Sequence, residues 1–302
     1  MNGEHTTVRI LAMLASEGHM MTDGDVSATD RAAETTGSFE SRAGHVAIGE
    51  LLRQQALVPP RSRIARLFGA SPLNAVTQPL YRGVTGEIEV GEALDRLGPD
   101  WHVLHALPVD EHHADIDHLV IGPSGVFVVS TRNHSGFDVW ASQRTFIVGG
   151  VRYPHIRDME YEMGRAERLL TAAAGRAVEV SGILAVVAPK SLVVREKQRD
   201  VAVLPSSALV GWLLRHKRTL TPADVEQVGA AASLASTWYV DGTVLPVEPN
   251  GQRERFEALR SEVRAAWRTQ LAWTLAASIA TVGGFTALTY SILMSAIGSF
   301  GL

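Results

Sequence analysis

From Leu271 to Leu302 the chain carries no charged residue. A run like this has few folded destinations. The segment LAWTLAASIATVGGFTALTYSILMSAIGSF is long enough to cross a hydrocarbon core, which takes about 20 apolar residues. Two crossings would need about 40 residues, so a hairpin does not fit. A core helix of a soluble domain keeps a polar stripe, and this segment has none. Gly283 and Gly284 would weaken a helix in water, whereas in lipid they are tolerated and help helices pack.

The flank predicts orientation. Arg253, Arg255, Arg260, Arg264 and Arg268 precede the span and nothing charged follows it. By the positive-inside rule this predicts a single-pass membrane protein whose N-terminal domain is cytoplasmic. Trp267 and Trp273 bracket the entry point, where indoles favour the headgroup layer. Phe256, Leu259, Val263 and Trp267 recur at helical spacing, so one helix is expected to run from the cytosol into the bilayer. At the other end, VRILAMLAS lies between Glu4 and Glu17 and suits a secretory signal poorly.

Composition narrows the function. The 302 residues have a formal net charge of -4, which is not the basic footprint of a typical nucleic-acid binder. A phosphate-cutting enzyme need not be basic overall, so the argument is weak. Cysteine is absent, which removes disulfides, iron–sulfur clusters and thiol catalysis. Residues 1–80 are read as largely disordered, with short helices such as one through Ile48 to Leu57. The expected organisation continues with a folded domain at 81–246 and a charged juxtamembrane helix at 247–270. A transmembrane helix at 271–297 and a short tail at 298–302 complete it.

Within 81–246, GEIEVGEALDRL (Gly86 to Leu97) has helical spacing and WHVLHAL (Trp101 to Leu107) alternates as a strand. IDHLVIG and GVFVVST flank Pro123 and Ser124, a strong hairpin signal. A turn centred there sets Asp117 opposite Ser130 and Asp115 opposite Arg132, all four on one face. The other face is expected to carry Ile116, Val120, Phe127 and Val129. A second hairpin should turn at Gly149 and Gly150. A helix follows from about Asp158 to Ala174, then a buried strand from Gly182 to Pro189 and a shorter strand, VAVLP. Closing helices are expected at SSALVGWLLR and from Pro222 to Tyr239, the latter with Thr221 and Pro222 as N-cap and N1. The order predicts an α/β fold with a mixed sheet flanked by helices.

The pattern G-x-x-G-E-x-x-V-G (Gly83, Gly86, Glu87, Val90, Gly91), then Trp101 and His105, then DIDHLVIGPSGVFVV and TRNHSG, resembles the nuclease-related (NERD) domain. That family is a branch of the PD-(D/E)XK nucleases. The resemblance runs from about Gly83 to Gly150, more weakly to Val187, and implies a restriction-endonuclease-like fold. It also implies metal-assisted phosphodiester hydrolysis, with carboxylates holding Mg²⁺ (or Mn²⁺) that activates a water. Carried over by position, Glu87 is the helix acid and Asp117 the main metal ligand. Ser130 and Arg132 stand where the family has an acid and a lysine. Serine removes a ligand charge, and arginine can stabilise charge but cannot act as a base. Asp115, Asp138 and Glu162 are candidates for the missing carboxylate. Asn133, His134 and Arg165 are candidate substrate contacts.

Simpler readings stand beside these. Asp117 and Arg132 could form a diagonal ion pair without catalysis, and Glu87 could be an exposed acid in the first turn of a helix. His134 could be a turn residue, and Arg165 and Arg168 a solvated helix face. His102, His105, His112, His113 and His118 cluster in sequence but lack zinc-site spacing. The expectation is a membrane-anchored nuclease acting on DNA or RNA. The alternative is a degenerate nuclease fold that binds nucleic acid or a protein partner, and a third reading is a membrane scaffold.

Overall fold

The computed structural model describes residues 42–108, 115–195, 200–238 and 251–299, with side chains described through Ile292. They divide into two compact units: one comprises residues 42–51 and 79–238, the other residues 52–78 and 251–299.

The first unit is a layered α/β domain. Its main sheet has the order β1-β2-β3-β7-β9. These strands are β1 (His102–Leu107), β2 (Ile116–Gly122), β3 (Gly125–Asn133), β7 (Val180–Val187) and β9 (Val201–Pro205). The first three pair antiparallel, while β3, β7 and β9 run parallel, so the sheet is mixed as expected. The Pro123–Ser124 turn sets the predicted register, with His118 across from Val129 and Gly122 across from Gly125. A second sheet, β6-β5-β4-β8, is built from β4 (Asp138–Ser142), β5 (Thr145–Val148), β6 (Val151–Tyr153) and β8 (Ser191–Val194). The sequence reading anticipated its β5–β6 hairpin, in which Gly149 and Gly150 both have positive φ (55° and 86°). That is the backbone a two-residue turn between twisted strands requires. It did not anticipate β4 or β8, which are only five and four residues long.

Helices cover both faces of the main sheet, and the chain thus forms two mixed sheets flanked by helices. One core is shared by α4 (His155–Ala174), α6 (Pro222–Ala232), the main sheet and the inner side chains of β4 and β5. The other lies between the sheet and α3 (Thr77–Leu94) with α5 (Leu209–Arg215). Thr221 caps α6 with a reciprocal capping box and Pro222 opens it, as expected. α7 (Ala235–Trp238) follows as a separate short helix.

Three expectations need correction. Residues 42–80 contain helix: α1 (His45–Ala56), α2 (Arg63–Leu67) and the start of α3. The short helix expected through Ile48 to Leu57 is this α1, and its Ile48 and Leu51 are buried, so the correction concerns only the expectation of disorder at 42–80; residues 1–41 lie outside the described residues. Second, α3 begins at Thr77, so Glu87 sits in mid-helix and not in a first turn. Third, Val120, Phe127 and Val129 share one core but Ile116 belongs to the other, with Leu119 and Ile121. Strict alternation fails in β2 where, on β1, Ala106 takes a left-handed backbone (φ 51°) between the His105–His118 and Leu107–Ile116 pairs.

In the second unit, α8 is one continuous helix, Gln252–Ser299. It is long and apolar enough to cross a membrane, its most apolar stretch having a mean hydropathy of 1.5 and lying unburied.

Candidate functional site

The acids singled out in the sequence converge where β2 begins and β3 ends. Asp117 on β2 accepts a hydrogen bond from the Thr131 backbone N–H at 2.5 Å. Arg132 on β3 reaches over it, its Nη1 3.8 Å from Asp117 Oδ2 and its Nη2 3.9 Å from Glu162 Oε1. Glu162 comes from α4, whose packing on β7 turns this buried side chain inward. From α3, Glu87 is buried and accepts from the Gly44 N–H at 2.9 Å. The simpler reading of Glu87 as an exposed acid is therefore excluded. Ser130 is buried beside Asp117.

Electrostatically this is a crowd of acids with one fixed cation. Burial, then the charge of Asp117, pushes Glu87 well above its ordinary 4.5. Burial and Asp117 push Asp115 up to about 7. Burial raises Glu162 to about 8, with Arg132 opposing. Asp117 is raised less decisively, because Arg132, the Thr131 N–H and the Ser130 hydroxyl all favour its charged form. Glu87, Asp117 and Glu162 share one guanidinium while Asp115 adds its charge beside Asp117, a balance that favours the arrival of further positive charge. A hard divalent cation supplies such charge and takes oxygen donors. Mg²⁺ in particular binds through one or two carboxylates and keeps several waters. Glu87 and Asp117 fit that requirement. Among the described residues no group of three His, Asp or Glu side chains is placed to hold a metal.

The remaining candidates separate. Asp138 is exposed on β4 and is held by Lys190 (3.0 Å) and Ser191 (2.6 Å), so it is not the missing acid. Glu162 and Asp115 are at the site. Asn133 ties its Nδ2 to the Arg82 carbonyl (2.8 Å) and its Oδ1 to Ser135, which makes it a turn residue first. His134 packs against Phe146, Tyr153 and His155, and burial and Arg132 hold it down at about 4. Arg165 is half-buried on α4, one turn beyond Glu162. His155 was not anticipated: its Nδ1 accepts from Arg132 Nε at 3.3 Å, and burial keeps it uncharged. Nothing in the local sequence marks it beyond its place at the start of α4.

Two histidines form a separate buried chain. The Nδ1 atoms of His105 and His118 are 2.8 Å apart, and His105 Nε2 is 3.0 Å from Asp95. His118 Nε2 lies 3.4 Å from Thr131 Oγ1. His102 instead faces Glu226, and His112 and His113 lie outside the described residues. A groove at the opposite end of the parallel strands is lined by Arg144, Glu160, Glu167, Glu179 and Asp200. It is too acidic to receive a phosphate backbone.

Residues 82–187 match the nuclease-related domain family. An uncharacterised protein of Bacillus anthracis is 39% identical over 80 residues, which is 24% of this chain and 37% of the relative. The chain thus covers well under two thirds of that relative's length. No solved structure matches the chain.

Proposed function

Because residues 82–187 carry a nuclease-related domain and α8 is long and apolar enough to cross a membrane, we propose a membrane-anchored, metal-dependent phosphodiesterase acting on DNA or RNA. The observation that carries this reading is the excess of buried carboxyl groups around Arg132. Its domain faces the cytoplasm, supported by the five arginines before the apolar run and none after it.

Glu87 and Asp117 would hold Mg²⁺ or Mn²⁺, which would supply an activated water and charge neutralisation. The protein groups do the rest. Thr131 N–H and Gly44 N–H orient the two carboxylates. Arg132, always charged, stabilises charge on the non-bridging phosphate oxygens. Glu162, buried beside Arg132, is placed to pass a proton to the leaving oxygen. His155 holds the Arg132 guanidinium in place.

One observation favours a second reading. Ser130 stands buried where the family has an acid, and Arg132 already has acidic partners. A degenerate nuclease fold that binds nucleic acid or protein without cutting it would look the same.

The test uses the full chain in detergent micelles with single- and double-stranded DNA and RNA, with Mg²⁺, Mn²⁺ or EDTA. Metal-dependent cleavage is expected, abolished by Asp117→Asn and lowered about a hundredfold or more by Arg132→Ala. No cleavage by a folded chain on any substrate selects the binding reading. Retention of nucleic acid that falls steeply with salt would then identify the ligand.

A further inference from the structure

Between Leu51 and Gly86 there is no acidic residue, while Arg53, Arg61, Arg63, Arg66 and Arg82 all fall there. Within the second unit, the stretch around α2 is fastened along one side of α8. Arg61 Nη2 pairs with Glu262 Oε2 at 2.9 Å. The backbone at Gly69 (φ 72°) presses so close that a Cβ there would lie 2.4 Å from Gln270 N and 2.6 Å from Ala266 O. Trp273 Nε1 donates to the Leu67 carbonyl at 2.8 Å, and the Trp273 and Phe68 rings are 5.2 Å apart. The contacts climb from the charged part of α8 at Glu262 to the first turn of its charge-free run.

That attachment fixes the depth of α2. If α8 enters a bilayer where its charges end, Leu67 and Phe68 are held at the level where water gives way to lipid. There they are bare: Ile64 is 70% exposed, Leu67 59% and Phe68 53%. Trp267 on α8, 62% exposed, lies in the same turn region. Exposed Arg63 and Arg66 lie beside them on α2. Glu262, the acid fastened to this segment, is engaged by Arg61. Apolar side chains bordered by arginines suit the headgroup layer, where apolar groups reach the acyl boundary and cations meet lipid phosphates.

We propose that residues 61–69 form a second membrane contact, an interfacial foot lying in the headgroup layer of an anionic bilayer beside the entry of α8. This rests on the reading of α8 as a membrane span. The foot fixes the height and tilt of the helix at its entry point more firmly than a single span does, because tilt is set by interfacial anchors.

The natural absence of cysteine makes the test direct. Full-length single-cysteine variants Ile64→Cys, Phe68→Cys, Ile279→Cys and Gln143→Cys are labelled with an environment-sensitive fluorophore. They are reconstituted in vesicles of phosphatidylcholine with or without phosphatidylglycerol. Labels at 64 and 68 should emit to the blue of the label at 143. A nitroxide near the lipid headgroup should quench them more than one deep in the acyl chain, and the label at 279 should show the reverse preference. Phosphatidylglycerol should enlarge the shift at 64 and 68, and Arg63→Gln with Arg66→Gln should remove that enlargement. If 279 is quenched while 64 and 68 behave like 143, the span stands and the foot is overturned. An unquenched label at 279 overturns both. Equal insertion into phosphatidylcholine alone overturns the choice of an anionic surface.

Discussion

Glu162 shows how one residue couples the site to stability. Its carboxyl is raised from 4.5 to about 8, so the folded chain holds a proton there that the unfolded chain has lost. The resulting stability is complete below pH 4.5 and is lost as pH rises towards 8, by at most about 1.4 kcal/mol per unit. Asp115, raised from 3.8 to about 7, adds to the same decline. Glu162→Gln keeps the shape without the charge. Chemical denaturation at a series of pH values should show the variant losing less stability across that window and exceeding the parent above it. A bound divalent cation should act in the opposite sense, since it competes with these protons. Mg²⁺ is therefore expected to raise the unfolding temperature clearly above pH 7 and little near pH 5, and Asp117→Asn should abolish the effect. A flat response to Mg²⁺ at every pH would count against a metal at this site.

Among the elements, α4 carries Glu162 to Arg132 only because β7 lets it come close. A Cβ on Gly182 would fall 2.5 Å from Met163 Sδ and 2.6 Å from Met159 Cγ. Gly182→Ala should cost roughly 1–3 kcal/mol, towards the low end because methionine side chains can shift. The displaced helix should also lower cleavage, measurable as loss of activity at temperatures where the variant is still folded. Hairpins and helix caps at this scale were legible because their signals are local: Pro123–Ser124, Gly149–Gly150 and Thr221–Pro222 each dictate a turn or a helix start. β4 and β8 were not legible. β8 pairs in parallel with β4 across some fifty residues of chain, and strands that short gain their shape from the partner and not from their own pattern.

For the whole molecule, the start of the folded domain matters most. Gly44 donates to Glu87, Ala43 packs where Gly91 leaves room, and Ile48 is buried. A soluble fragment beginning at Gly83 would lack all three and cut α3 in its middle. It should unfold at a markedly lower temperature than a fragment beginning at residue 42, and equal stability would show that α1 contributes nothing. A chain ending at Gln270 should leave the membrane pellet on alkaline extraction, whereas the full chain stays. The apolar run from Leu271, the hairpin register and the identity of Glu87, Asp117, Ser130 and Arg132 follow from the sequence alone, because they depend on contiguous pattern and on residue type. That Glu162 and not Asp138 joins them, that His155 holds Arg132, and that Gly44 orients Glu87 was decided by tertiary structure. Those contacts join residues 20 to 45 positions apart, and no local propensity encodes which distant side chain a folded backbone brings to a given carboxylate.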